Sequence, residues 1–338
     1  MRRVLRGGGP IAAEYPLVFD PAFDGELIVA EEDGSPRAAC ALVVRELVLP
    51  DVRLQVGLIG SVVTAPAWRG RGLASRVLAH AEARGLERGC LATLLWADDP
   101  GFYRRRGYAE VGTERDFLLE PCASRGLPPP SGVRAARPGD AAAIHALYAA
   151  HLARVERDRA ETRALLACPG MRVLVREGKS GAAAYACMGR GADLQGVVHE
   201  WAGAADDVAA LARAHLEQHG RPIVVMAPPG ASALEGALRS AGALASEGVL
   251  GMGKLLDLGR ALELLELFAK GALASRVRGE RAELSGEAGS LELDASALLA
   301  VLFAPRRDRS AVEELEAGVG VRAPRLPLAP FAWGLDSI

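Results

Sequence analysis

The sequence predicts a mixed α/β (α+β) fold, with two mixed-sheet units in tandem and a small C-terminal α+β domain. Three observations lead to this prediction. The stretch Val56–Gly107 alternates strand-like and helix-like segments, its first half recurs about 135 residues later, and about eighty residues follow Asp257. Because domains usually hold roughly 100–200 residues, we expect three of them, at residues 1–125, 126–257 and 258–338.

Each segment of the Val56–Gly107 stretch has its own pattern. Val56 to Val63 is apolar and β-branched, as in a buried strand. From Leu73 to Ala81 the apolar residues recur on one face, which favours a helix. A second strand follows at Leu91 to Trp96, and Phe102 to Arg106 forms a short helix that ends at the next glycine.

The loop between the first strand and the first helix suits an anion. Gly70 and Gly72 leave the backbone bare where the helix starts, so the first helical amides can point outward. Arg69 and Arg71 add planar cationic donors that match phosphate oxygens. The pattern therefore predicts a pyrophosphate-binding site.

Two motifs in this stretch resemble those of a known family. Arg69-Gly70-Arg71-Gly72-Leu73-Ala74 resembles the acyl-CoA signature of GNAT acetyltransferases, (Gln/Arg)-x-x-Gly-x-(Gly/Ala). Phe102-Tyr103-Arg104-Arg105-Arg106-Gly107-Tyr108 is similar to the Phe-Tyr-x-x-x-Gly-Phe/Tyr helix that follows the next strand in that family. The two motifs occur in the family's order within a strand–helix–strand succession, so the two mixed-sheet units are expected to be GNAT-like.

The resemblance implies an N-acetyltransferase that transfers acetyl from acetyl-CoA (coenzyme A) to a primary amine. Tyr103 holds the family's usual acid position, where a phenol with a pKa near ~10 can protonate a thiolate whose thiol has a pKa near ~8.5. The strand end would bind the pantetheine arm and the loop would bind the phosphates. The implied cofactor-binding residues are Val62, Val63, Thr64, Arg69, Gly70, Arg71, Gly72, Leu73, Ala74 and Ser75. No metal site is expected.

The glycine loop is also compatible with alternative roles. A dinucleotide-binding fingerprint needs a third glycine where Ser75 stands, although Asp98 could serve as its ribose-binding acid. A plain structural turn with two solvated arginines would explain the glycines but not the second motif. A non-catalytic acyl-CoA sensor or scaffold would keep the loop without the chemistry, and a mycothiol-synthase-like acyltransferase is a weaker alternative.

An internal repeat predicts the second unit. Val62–Gly85 aligns without a gap with Val197–Gly220, and both segments run from a strand through a loop into a helix. Arg69 to Gly72 fall opposite Ala204 to Asp207, where two carboxylates would repel a pyrophosphate. We therefore interpret the second unit as a degenerate copy.

Two local predictions concern the edges of these units. Glu110–Leu119 is expected to close the first unit as a strand pair. His199-Glu200 invites a catalytic-base hypothesis, but no metal-ligand spacing accompanies it. We expect these two residues to lie in an ordinary polar loop of the second unit.

The order of the units extends the resemblance to the chain terminus. Two GNAT-like units and a small domain resemble the enhanced-intracellular-survival type of acetyltransferase, whose third domain is sterol-carrier-protein-like. In that type the terminal carboxylate serves as the catalytic base, which implies the same role for Ile338, with Asp336 as a second candidate. Because Arg325–Ile338 is too apolar for a free tail, we expect it to dock on the protein.

Composition limits the partners. The 40 Lys and Arg against 42 Asp and Glu give a formal net charge of −2, which argues against a general nucleic-acid binder. No apolar stretch reaches membrane-spanning length, and five scattered cysteines without Cys-x-x-Cys suit a reducing cytosol. We expect a cytoplasmic bacterial transferase for a small-molecule or peptide amine, with neither nucleic acid nor membrane as a partner. Assembly into a homo-oligomer stays open.

Overall fold

The computed structural model describes residues 2–179, 181–270 and 273–338. The strands are β1 (Glu26–Glu32), β2 (Ser35–Leu49), β3 (Val52–Thr64), β4 (Ala92–Leu95), β5 (Ala109–Val111), β6 (Glu114–Leu119), β7 (Val133–Ala135), β8 (Arg154–Val155), β9 (Arg172–Gly178), β10 (Gly181–Arg190), β11 (Asp193–Ala202), β12 (Ile223–Ala227), β13 (Leu244–Gly248), β14 (Gly251–Leu255), β15 (Ala274–Arg278), β16 (Arg281–Gly286) and β17 (Gly289–Asp294).

The helices are α1 (Arg2–Arg6), α2 (Ile11–Glu14), α3 (Pro16–Phe19), α4 (Leu73–Glu87), α5 (Pro100–Arg104), α6 (Ala141–Ala149), α7 (Arg159–Leu166), α8 (Ala205–His219), α9 (Ser232–Ser240), α10 (Leu258–Phe268), α11 (Ala295–Phe303) and α12 (Ser310–Val319). Short 3-10 helices lie at Pro66–Trp68, Pro121–Gly126 and Pro138–Asp140. Across the described ranges, no helix has the length and apolar character needed to cross a membrane.

The described chain divides into two compact units, each assembled from separated segments. The motif unit, which contains both sequence motifs, consists of residues 26–113, 249–331 and 338. The repeat unit, which contains the diverged copy, consists of residues 1–25, 114–248 and 332–337. The division into three consecutive domains remains a prediction.

A mixed sheet forms the centre of the motif unit, in the order β1-β2-β3-β4-β14-β5. The β3–β4 pair is parallel and its neighbours are antiparallel. Helix α4 packs on β2 and β3 through the predicted apolar face, of which Val77, Leu78 and Ala81 are fully buried. This burial of one face is what fixes α4 against the sheet.

The second part of the motif unit is a three-stranded antiparallel sheet, β15-β16-β17, with helices α10, α11 and α12 packed around it. Leu284 of the sheet and Leu298 and Leu302 of α11 are buried. Helix α11 also contacts β14 and β5. A separate C-terminal domain with a sterol-carrier-protein-like fold remains a prediction.

The repeat unit has a second mixed sheet, in the order β13-β6-β12-β11-β10-β9-β7. Its one parallel pair is β11–β12, and β11 leads into α8 as β3 leads into α4. Two tandem mixed-sheet units of the same design are therefore confirmed. Helices α6 and α8 pack on this sheet.

The two sheets exchange one strand each. In the motif unit, β14 fills the place between β4 and β5, and in the repeat unit β6 fills the equivalent place between β12 and β13. The prediction that Glu110–Leu119 closes the first unit as a strand pair is therefore wrong, because only β5 belongs to that unit. The alternation of apolar and polar residues in β6 is compatible with a position in either sheet. The sequence pattern alone therefore does not show which sheet β6 joins.

The apolar stretch near the end of the sequence is docked, as predicted. Trp333 is fully buried in the repeat unit. Its ring lies 4.3 Å from that of His151 and 5.2 Å from that of Trp201, measured between ring centroids. The main-chain amide of Gly334 donates to the carbonyl of His199 at 3.1 Å.

Candidate active site

The candidate site lies in the motif unit, where two parallel strands separate. The last paired residues of β3 and β4 are Leu58 and Leu94. Strand β4 ends at Leu95, whereas β3 continues to Thr64. The edge of β3 that faces β4 therefore leaves the ladder after Leu58, and the predicted pantetheine-binding residues 62–64 lie on this stretch.

A β-bulge marks the same stretch of β3. Its register with β2 shifts between Ala39 and Ala41, so that Ser61 and Val62 both oppose Cys40. Ser61 has a φ of 51°, which is uncommon for a residue with a side chain. Bulges bend a strand and redirect its side chains, so the end of β3 departs from the flat course of the sheet here.

The glycine loop follows directly. Gly70 and Gly72 have φ angles of 76° and 75°, in the region that favours glycine, and apart from their chain neighbours no atom of the described residues lies within 4 Å of where their Cβ atoms would stand. Helix α4 begins at Leu73, and its first internal hydrogen bond joins the amide of Arg76 to the carbonyl of Gly72 at 3.1 Å. The amides of residues 73–75 precede this ladder and are the donors that a helix start can offer to an anion.

The charges around this helix start also suit an anion. The first turn of α4 contains no acidic residue. Arg69 and Arg71 are exposed in the loop, and the guanidinium carbon of Arg71 lies 4.3 Å from the centre of the Trp68 ring. Positive side chains beside a helix N-terminus oppose the helix dipole, so a bound anion would relieve this repulsion.

The repeat unit has a helix turn where the motif unit has this loop. Helix α8 begins at Ala205, which aligns with Gly70, and its first turn contains Asp206 and Asp207. Asp207 also forms an ion pair with Arg176 at 3.5 Å. These carboxylates complement the positive end of the α8 dipole from within the chain.

Tyr103 lies in α5 and is half-buried. Its ring makes edge-to-face contacts with Phe102 and Tyr108, with centroids 5.0 Å and 5.7 Å apart. Burial raises the pKa of Tyr103, and the nearby Cys40 and Asp98 raise it further. The phenol therefore keeps its proton at neutral pH and can act as a donor.

Arg106 joins the loop helix to the helix of Tyr103, and the sequence motifs did not single it out. Its Nε donates to the hydroxyl of Ser75 at 3.0 Å, and another of its nitrogens donates to the carbonyl of Phe102. Its guanidinium lies 3.6 Å from the centre of the Phe102 ring. Arg106 occupies one of the three unspecified positions of the motif, which explains why the pattern did not reveal it.

A polar network ties three elements together beneath α5. The hydroxyl of Tyr108 donates to Glu82 at 3.1 Å and accepts from Thr93 at 3.2 Å. Lys254 of β14 donates to the other oxygen of Glu82 at 2.6 Å. Burial raises the pKa of Tyr108 well above its ordinary value, so Tyr108 stays protonated and links α4, β4 and β14.

Ile338 lies against β3 at Gly60. A Cβ atom on Gly60 would overlap the main-chain carbonyl group of Ile338. An isolated glycine within a strand is typical of a close approach by another main chain, so Gly60 was the sequence signal for this contact. The structure thus brings Ile338 beside the end of β3, and among the described residues no hydrogen bond joins it to Tyr103.

The second candidate base, Asp336, lies in the repeat unit. It is 4% exposed, accepts a hydrogen bond from the hydroxyl of Tyr148 at 2.7 Å, and lies 3.8 Å from a nitrogen of Arg157. Asp336 therefore belongs to a buried polar network of the repeat unit.

The prediction of a polar loop at His199-Glu200 is wrong. Both residues lie in β11 and are 0% and 1% exposed. Glu200 accepts from Arg157 at 2.7 Å and from Tyr185 at 2.8 Å. Burial lowers the pKa of His199 to about 3, so its ring is neutral. Because Arg157 is buried beside it, Glu200 can lie in a buried strand. A local sequence pattern does not reveal such a partner.

Comparison with known sequences identifies one domain. A sequence model of the acetyltransferase (GNAT) domain matches residues 15–111. This range contains the end of β3, the glycine loop and α5. No curated protein matches the sequence at a significant level.

Solved structures resemble a larger part of the chain. A GCN5-related N-acetyltransferase from Anabaena variabilis is 13% identical, with a TM-score of 0.62 over 92% of this chain and 89% of that one. Eis1 from Mycobacterium abscessus is 14% identical, with a TM-score of 0.53 over 94% and 95%. A GCN5-related N-acetyltransferase from Kribbella flavida is 22% identical, with a TM-score of 0.51 over 75% of this chain and 64% of that one. At these identities the likeness concerns the fold.

Proposed function

We infer that this chain, whose residues 15–111 match the sequence model of the GNAT acetyltransferase domain, is an N-acetyltransferase that carries acetyl from acetyl-CoA to an amine. The observation that carries the proposal is the open glycine loop at the start of α4, directly after a strand whose edge has left its parallel neighbour. Such an edge and such a helix start suit a long substrate with a phosphate end and an amide-containing arm.

In this proposal the motif unit binds acetyl-CoA along β3 and α4. The amides of Leu73, Ala74 and Ser75 and the side chains of Arg69 and Arg71 hold the pyrophosphate. The backbone of residues 62–64 pairs with the pantetheine arm. Gly70 and Gly72 keep the loop free of side chains, so that phosphate oxygens can approach the main chain.

Tyr103 is the proposed general acid. The amine nitrogen attacks the thioester carbonyl carbon, the carbon–sulfur bond breaks, and the leaving thiolate takes the phenolic proton. Because burial raises the pKa of Tyr103, the phenol is protonated before the reaction and regains its proton from solvent afterwards. A positioned acid of this kind contributes roughly 10²–10⁴-fold to the rate.

Ile338 is the proposed base. In this proposal its main-chain carboxylate is the proton acceptor, and Ile338 lies against Gly60 at the end of β3. The carboxylate would accept the proton that the amine loses when it becomes an amide. Its free pKa near ~3.5 makes it a weak base in water, and removal from water would raise that pKa.

The test is release of free thiol from acetyl-CoA across a panel of aminoglycosides, polyamines, amino acids and peptides. We expect turnover with at least one amine, and Tyr103→Phe should lower kcat about 10²–10⁴-fold while acetyl-CoA affinity stays nearly unchanged. Near-normal turnover in Tyr103→Phe would make this ring a packing residue. Tight acetyl-CoA binding without thiol release from any amine would instead indicate a sensor.

A further inference from the structure

Two arginines of the motif unit share one indole ring. The guanidinium carbons of Arg37 and Arg71 lie 4.5 Å and 4.3 Å from the centre of the Trp68 ring. Arg37 belongs to β2, and Arg71 belongs to the glycine loop. The ring therefore holds two positive charges within about 9 Å of each other.

The main chain fixes this arrangement. The carbonyl of Arg37 accepts a hydrogen bond from the amide of Ala65 at 2.8 Å. The short 3-10 helix Pro66–Trp68 follows, and the Trp68 amide donates to the carbonyl of Ala65 at 2.8 Å. The indole is thereby tied to β2 and to the end of β3 before the loop begins.

The charges of the two arginines are not balanced by a carboxylate among the described residues. Within the described ranges, neither Arg37 nor Arg71 forms an ion pair with a carboxylate. The Nε of Arg37 is also buried and has no hydrogen-bond partner in that part of the chain. A buried guanidinium donor without a partner is costly unless a ligand completes it, so the pair is built to receive an anion.

We propose that Arg37, Trp68 and Arg71 form a clamp for the ribose 3′-phosphate of coenzyme A. This inference rests on the proposed function. The amides at the start of α4 already account for the pyrophosphate, and the 3′-phosphate is the remaining anionic group of that substrate. Arg37 donates to its oxygens, Arg71 donates both to this phosphate and to the neighbouring pyrophosphate, and Trp68 holds both guanidinium planes in place.

The clamp predicts which part of the nucleotide the protein recognises. Since guanidinium groups stack on the Trp68 ring, the indole is not free to stack on adenine. The clamp recognises the phosphomonoester, and it discriminates coenzyme A from the otherwise identical dephospho-coenzyme A.

The experiment compares the binding of coenzyme A and dephospho-coenzyme A to the full chain by calorimetry at low ionic strength. We expect the unmodified protein to bind coenzyme A about tenfold more tightly, on the scale of charge-assisted hydrogen bonds. Arg37→Gln should reduce this ratio to nearly one and leave dephospho-coenzyme A binding unchanged. Arg37→Lys, which keeps the charge, should retain part of the preference.

The matched control is Arg53→Gln. Arg53 lies at the opposite end of the β2–β3 hairpin and pairs with Glu46 at 2.7 Å, so its removal should leave both affinities as they are. Equal affinities in the unmodified protein would overturn the clamp alone. Equal weakening of both ligands by Arg37→Gln would place Arg37 at the pyrophosphate and overturn the assignment. Failure of both ligands to bind the unmodified protein would overturn the clamp together with the proposed function.

Discussion

Gly60 has no side chain because the main chain of Ile338 occupies the space that a Cβ atom would take. Because Gly60 lacks a Cβ atom, Ile338 can lie against the end of β3, next to the bulge at Ser61. The contact is long-range, so composition and periodicity carry no trace of it. An isolated glycine in a strand was the available signal.

Gly60→Ala should displace Ile338 from β3. Overpacking of this kind costs about 1–3 kcal/mol of stability. If the carboxylate of Ile338 accepts the amine proton, kcat should fall about 10²-fold, on the scale of a lost general base, while acetyl-CoA affinity is retained. Steady-state kinetics and calorimetry measure the two effects separately.

A second variant with one glycine appended after Ile338 leaves Gly60 intact and moves the carboxylate instead. Both variants should lose turnover if Ile338 acts as the base. Normal turnover in both folded proteins would exclude Ile338 from the chemistry. Thermal unfolding checks that each variant is folded.

At the scale of elements, the start of α4 and the start of α8 show what the sequence could and could not predict. The glycine loop and the apolar face of α4 are local features, and the structure contains both. The side chains that surround the loop, Arg37 and Arg106, come from β2 and from the residues after α5. Their approach depends on tertiary packing, so no local pattern indicated them.

The two helix starts should respond differently to charge. Arg71→Glu places a carboxylate beside the proposed pyrophosphate site and should weaken acetyl-CoA binding by about 1–3 kcal/mol, the scale of a lost charged hydrogen bond. Asp206→Ala, in the first turn of α8, is the matched variant and should leave binding unchanged. Calorimetry that gives the opposite ranking would mean that the repeat unit binds the cofactor.

At the scale of the whole molecule, the chain crosses between its two units five times, and the crossings at 113/114 and 248/249 separate β5 from β6 and β13 from β14. The gapless repeat predicted two copies of one fold, and the structure contains two such sheets. The repeat did not predict that β6 and β14 are exchanged between the two sheets. The two strands occupy equivalent positions, each following the same succession of elements in its own copy. Strands that are close in sequence would be expected to pair within one unit. The observed pairing instead joins Ala92 of β4 to Leu255 of β14.

The predicted domain boundary at residue 125 separates β14 from the other strands of its sheet. A fragment that ends there tests whether the motif unit needs β14 to fold. A fragment of residues 1–125 keeps β1 to β6 and lacks β14, whose place β6 would have to take although it pairs with β12 and β13 in the full chain. The facing edges of β4 and β5 then lose their native partner, and unpaired backbone groups and an open edge favour aggregation over folding. We expect no cooperative unfolding transition from this fragment in urea, followed by circular dichroism.

The matched chain joins Thr113 directly to Val249 and continues to Phe331, starting from Glu26. Because Val111 pairs with Gly251 in antiparallel register, the junction forms a hairpin loop of about four residues, a length that antiparallel strands commonly use. This chain contains β1 to β5 and β14 in one piece, so it should unfold cooperatively and bind acetyl-CoA. A cooperative transition in the 1–125 fragment would show that β14 is dispensable, and a disordered joined chain would show that β14 alone does not complete the sheet.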